Sequence, residues 1–340
     1  MKHLKRLLWM LLSFFLLSCE KQDEAIVLPE PGDVLQLSAA MGSNYDEQVY
    51  VDLSTGAISA IPYRRFDLMF ETDPNGKFIF LNSAKYMFAG RAVQQDFFTA
   101  DTTGITWKVD AEHLQGDSTA IGNWWVGANG TAYASDVFVI DRGRVEHSGA
   151  DRFRKFQVLS AGQNMYEIRY AALDNSGLSV FTVPKDTLYS LMYFSFDNNG
   201  ALVQQAPPKD QWDFVFTKYT HTYFDQPLSS PFRYYPVTGV LLNKWQPVKG
   251  QVFKKDSTAN YIPFEQMASP GVVNYPLSEN ADVIGFDWKY YDFANSSYFM
   301  RPDLYFICLD REGFYYKLRM LDFYDGSGTK GTITLQYQRL

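Results

Sequence analysis

Few side chains in this sequence could do chemistry, and they stand far apart. Beyond His3 the imidazoles are His113, His147 and His221, so a three-histidine zinc site would draw one ligand from each of three distant segments. No His-Glu-x-x-His, Gly-x-Ser-x-Gly or Walker-type lysine loop is present. Asp67 and Asp213 each follow an aromatic residue and open an apolar run. A carboxylate beside a strand is more often a turn or backbone hydrogen-bond partner than an acid or base, and Asp287 before Trp288 reads the same way. Gly326-Ser327-Gly328-Thr329-Lys330-Gly331 fits the dinucleotide fingerprint by letter. That motif needs a following helix whose N-terminus meets a pyrophosphate, whereas residues 332–337 alternate like a strand, so a hairpin loop is expected. These counts argue against an enzyme.

The elements that would position any site are strands. In Trp212-Asp213-Phe214-Val215-Phe216-Thr217 the aromatics recur with period two, which predicts a core strand with one strongly apolar face. A fainter copy, Arg65-Phe66-Asp67-Leu68-Met69-Phe70, lies upstream. Each copy is preceded by a Tyr-bearing run that ends in a Gly turn, residues 49–56 and 192–200, and followed by an apolar run ending in Asn82 or Asn243. Residues 137–142, 155–159 and 166–170 have collinear parallels at 305–311, 317–321 and 332–337. The repeated order suggests an internal duplication.

The chain is 17% aromatic, with 23 Tyr and 27 Phe, and Asp-rich Gly turns at 73–76, 197–200 and 310–313 signal hairpins. Sustained helical periodicity is nearly absent, with residues 110–115 the best short helix candidate. The expected fold class is all-β and antiparallel. About 300 residues exceed one small core. Two related units are therefore expected, 34–183 and 184–340, joined near Pro184 to Thr187; whether they share strands is open at this stage.

Lys2, Lys5 and Arg6 precede a short apolar run that ends Leu16-Leu17-Ser18-Cys19. A run this short reads as a signal peptide, residues 1–18, rather than a spanning helix. The tetrapeptide resembles the lipobox of bacterial lipoproteins, which implies lipidation at Cys19. Residues 19–33 read as a polar tether. Three of the 31 basic residues and none of the 38 acidic ones lie in the leader, so its removal takes the formal charge from −7 to −10. An acidic chain without a basic block is a poor nucleic-acid binder. With Cys19 acylated, Cys308 stands alone, and no intrachain disulfide is expected.

Together the lipobox-like segment, the Tyr-bearing strands with their Gly turns, Trp212-Asp213-Phe214-Val215-Phe216, Gly285-Phe286-Asp287-Trp288 and the closing aromatic run at 315–324 resemble the HmuY family of bacterial haem-binding lipoproteins. The match is best over residues 188–340. The resemblance implies a hand-like all-β fold, haem held in a cleft at the outer-membrane surface, and transfer to a TonB-dependent receptor. It also implies two axial ligands, from the region before the late Trp and from the segment just after it; imidazole and thioether both bind haem iron. This chain departs from the histidine pattern, since no His lies between Trp245 and Trp288 and Lys289-Tyr290-Tyr291 stands where a relative places its own. Met267 and Met300 are the nearest thioethers, as ligands or as core filler. His221 is the one imidazole of the second half, as a ligand or as a loop histidine. Tyr290 and Tyr291 would wall a porphyrin or pack on the next strand. The expectation is a non-enzymatic, lipid-anchored cell-surface protein with haem as cofactor. The alternative is a surface adhesion protein that contacts glycan or protein and has lost the iron ligands.

Overall fold

The computed structural model describes residues 31–125 and 136–340; the leader, Cys19 and most of the tether lie outside them. The chain first forms β1 (Leu35–Ala40), β2 (Glu47–Val51), β3 (Ile58–Pro62), β4 (Leu68–Glu71), β5 (Ile79–Leu81) and β6 (Phe88–Arg91). Then come β7 (Val137–Asp141), β8 (Phe153–Ala161), β9 (Met165–Ala171), β10 (Ser179–Pro184), β11 (Leu191–Ser195) and β12 (Ala201–Val203). β13 (Phe214–Thr222), β14 (Tyr234–Leu242) and β15 (Lys249–Lys254) follow. The last strands are β16 (Lys289–Asp292), β17 (Ser297–Met300), β18 (Leu304–Leu309), β19 (Tyr315–Tyr324) and β20 (Lys330–Arg339). Pairing is antiparallel throughout the described residues, so the chain is all-β as its patterning predicts.

Two five-stranded sheets run β10-β9-β8-β7-β6 and β1-β20-β19-β18-β15, two four-stranded sheets run β12-β11-β4-β5 and β3-β2-β13-β14, and β16 pairs with β17. The two halves of the sequence share strands. β1 to β3 complete sheets otherwise built from β13 onward, while β11 and β12 complete the sheet of β4 and β5; β6 to β10 pair among themselves.

Three apolar seams separate these layers. Phe70, Phe138, Phe156 and Phe194 fill one, and Val49, Phe214, Phe306 and Ile333 fill another. Between the four-stranded sheets lies a third, with Tyr50, Phe66, Tyr193, Trp212 and Val215. A sheet covered on both faces needs apolar residues at successive positions. Ile79, Phe80 and Leu81 are accordingly all buried, as are Phe214, Val215 and Phe216. Trp212 therefore departs from the expected shared face: β13 begins only at Phe214, and Trp212 turns into the middle seam while Phe214 and Phe216 face the next one.

Polar groups close the strand ends. Asp67 and Asp213 are fully buried, and each carboxylate accepts a backbone N–H and an arginine. Asn82 and Asn243 donate to the carbonyls of Phe66 and Trp212. The Gly turns join β4 to β5, β11 to β12 and β18 to β19 as expected. The glycine motif is the β19–β20 turn, and its Ser327 and Thr329 N–H groups bond to Asp325 at 2.9 and 2.8 Å. The helix expected at 110–115 does not form. Leu114 adopts a left-handed φ of 55°, and a short 3-10 turn, Gly116–Ser118, follows instead.

Candidate functional site

The β13–β14 ladder places Lys218 across from Thr238 and His221 across from Tyr235. After β14 the chain returns over it at a glycine crossing. Val240 N–H bonds to the Gly285 carbonyl at 2.9 Å, and a Cβ added to Gly239 would stand 2.5 Å from that oxygen. Only a bare backbone at 239 admits this approach. The crossing seats Trp288 in the core, 2% exposed, and starts the β16–β17 hairpin beside β14. Lys289 Nζ ties the hairpin down by donating to the Thr238 carbonyl at 2.5 Å.

A cleft of about 1050 Å³ opens between these elements, the β19–β20 turn and the segments around Tyr63, Tyr86 and Glu146. Nine tyrosines and three phenylalanines line it, which makes its walls largely ring faces and edges. Tyr290 stacks on Phe299 at 5.9 Å, Tyr291 meets Tyr298 edge-on at 5.0 Å, and Phe323 meets Trp288 at 5.7 Å and Tyr298 at 5.1 Å. Burial lifts the Tyr45, Tyr63 and Tyr298 hydroxyls above the ordinary phenol value. They are neutral at physiological pH, offering apolar faces and hydrogen-bond donors rather than phenolate ligands.

Of the residues singled out in the sequence, Tyr290 and Tyr291 line the cleft. His221 lies in a smaller neighbouring cavity of about 260 Å³, and Phe286 lines both. Its ring meets Tyr223 and Phe286 edgewise at 4.6 and 4.8 Å. His221 Nδ1 pairs with Glu112 at 2.9 Å, and this bond lifts the imidazole above its ordinary pKa against the pull of burial. Such a carboxylate fixes an imidazole's orientation and leaves Nε2 as the outward nitrogen. Met300 is the strand partner of Lys289 and packs against the core. Met267 is 2% exposed among Phe253, Phe264 and Tyr305, where it fills core, and is not among the residues lining the cleft. The described structure does not bring Met267, Met300 and His221 together at one point.

Sequence reasoning missed the lysines. Lys218 and Lys289 both line the cleft, and the available signal was a lysine set among aromatics in a predicted strand. Among the described residues no group of three or more His, Cys, Asp or Glu is placed to hold a metal ion.

Strands and cleft together define an all-β protein with an open, aromatic-walled cleft. No family model matches the chain, and no curated protein matches it. Among solved structures, apo PinO from Porphyromonas gingivitis is similar over 91% of this chain and 97% of that one, with 10% identity and a TM-score of 0.31. The apo HmuY analog of Tannerella forsythia is similar over 92% and 98%, with 9% identity and a TM-score of 0.27.

Proposed function

We propose that this chain is a ligand-binding protein rather than an enzyme, and that the aromatic cleft holds a flat, largely apolar ring, with haem the first ligand to try. The cleft carries this reading. Its volume is at the upper end for small-molecule sites, and ring walls with a few polar groups are what such sites use. Capture is an equilibrium: the ring faces exclude water from the ligand, and polar groups fix its orientation. His221, oriented by Glu112 behind Phe286, is the best-prepared imidazole for iron, and Met300 beside Lys289 is the nearer thioether. In this reading Cys19 carries a lipid, the protein sits at the outer-membrane surface, and a TonB-dependent receptor takes the ligand onward.

Titrating haem into the protein and into His221→Ala and Met300→Ala tests this. A saturable Soret shift that weakens in one variant supports haem binding and identifies the ligand. An unsaturable change equal to that of an unrelated protein counts against it.

One observation favours a second reading, contact with glycan or protein. Phe293 at the cleft rim is 86% exposed, and Phe224 and Phe232 in the β13–β14 loop are 78% and 63% exposed. Glycan or protein binding that is lost in Phe293→Ala, with haem inert, would select it.

A further inference from the structure

Four lysines and one carboxylate line the cleft, in a chain whose formal charge is −7. Two of these five charges are already matched. Lys85 pairs with Asp67 at 2.6 Å, and Glu146 is held by Arg64 and by the Tyr63 hydroxyl, both at 2.7 Å. Lys218, Lys289 and Lys330 remain, and none has an ion-pair partner among the described residues. Lys330 is exposed over the Tyr45 ring. The other two are half-buried.

Lys218 Nζ donates to the Tyr63 hydroxyl at 2.9 Å and lies 4.1 Å from that ring's centroid. Lys289 Nζ donates to the Thr238 carbonyl and lies 3.8 Å from the Trp288 ring and 4.9 Å from that of Phe323. Both lysines line the same cleft, and Lys289 is anchored on Thr238, the strand position directly across from Lys218. Ring faces and neutral oxygens stabilise an ammonium less than water or a carboxylate does, so both sites are short of negative charge. If packing alone were at stake, methionine would fill the same space without that cost.

We propose that Lys218 and Lys289 form an anion-binding end of the cleft, which selects ligands bearing carboxylates on a flat apolar body over neutral ligands of the same shape. The inference rests on the cleft being the ligand site. Both amines are held below the ordinary lysine pKa, Lys289 at about 7, by burial. The charges facing them do not cancel the deficit. Asp287 acts on Lys289 from a distance, and Asp46 and Glu146 act on Lys218 against Arg64. A ligand carboxylate would supply the missing partner and draw a proton onto Lys289 as it binds.

The test compares protoporphyrin IX with its dimethyl ester, both iron-free, at pH 6. Each is titrated into the protein and into Lys218→Met, Lys289→Met and Lys289→Arg by fluorescence. The free acid should bind at least about tenfold tighter than the ester. Each Met variant should narrow that preference, and Lys289→Arg should keep it. The ester is the internal control, since a variant that fails to fold loses both ligands. Equal binding of acid and ester, or a preference unchanged in both Met variants, overturns the inference and leaves the cleft reading standing. Failure of both porphyrins to bind removes the cleft reading itself.

Discussion

Asp67 and Asp213 are structural counterparts: the Oδ2 of each accepts a backbone N–H at 2.8 Å from a strand end contributed by the other half of the sequence, Phe196 in one case and Leu53 in the other. The likeness extends outward. Asp67 N–H bonds to Phe194 O and Asp213 N–H to Val51 O, both at 2.8 Å, while Arg142 and Arg311 pair with the two carboxylates, each at 3.0 Å. The repeated Asp is thus a fastener for exchanged strands.

Its removal should be costly. Burial works against ionisation of Asp67, yet Lys85 and Arg142 hold its carboxyl below the usual carboxylate range. Asp67→Ala would leave the buried Lys85 without its ion-pair partner and Arg142 with only the half-exposed Asp151 and Asp197, and should destabilise the protein by about 3–5 kcal/mol in chemical denaturation. The depressed carboxyl contributes stability that is present above about pH 4 and lost as pH falls through its lower folded value. Acid unfolding of the wild type should therefore narrow the gap to the variant.

Gly239 sets the position of the hairpin. Gly239→Ala brings a Cβ to 2.5 Å from the Gly285 carbonyl, which is backbone and cannot swing aside. A loss of about 1–3 kcal/mol is expected, with weaker ligand binding because Phe286 and Lys289 shift together. An alanine variant with wild-type stability and affinity would show that the crossing does not position the cleft.

The His221–Glu112 pair predicts the opposite pH dependence. Glu112 raises the folded imidazole above its ordinary value, with Asp282 and Asp287 adding to the effect. The stabilisation is complete below about pH 6.5 and is lost as pH rises through the higher folded value. His221→Gln should therefore cost most near pH 5.5, by about 1 kcal/mol or less, and almost nothing at pH 9. Thermal denaturation at the two pH values reads the difference.

Lys289 should oppose folding when protonated. Its folded pKa of about 7 lies below the unfolded value of 10.5, so the penalty is full below pH 7 and is relieved between pH 7 and 10.5. Lys289→Met should raise stability at pH 6 and lose that advantage by pH 10. A site that weakens its own fold in this way fits a role in binding rather than in packing.

Strand identity was legible in the sequence because alternation, Gly turns and collinear aromatic runs agree on the same elements. Strand exchange was not, since periodicity fixes which residues lie on a strand but not which strand completes the sheet. Trp212 shows the limit at one residue. Its spacing from Phe214 places it on the same face, but the chain bends at Asp213 to reach Leu53. Tyr290 and Tyr291, singled out for their place next to the late Trp, line the cleft. Lys218 and Lys289 were missed because a lysine in a strand reads as solvated, and only the structure shows that both line the cleft with no ion-pair partner among the described residues. Met267 reads as a candidate ligand but more often as core filler, and it is buried among Phe253 and Tyr305 and is not among the residues lining the cleft.

The central claim, that the aromatic cleft grips a flat ligand, is tested most directly by titrating haem into the wild type and into the Phe286→Ala/Tyr291→Ala double variant under identical conditions. A saturable, single-site change in the wild type with affinity reduced at least about tenfold in the double variant is expected. Equal affinity in the two proteins, or no saturable change in the wild type, would contradict it.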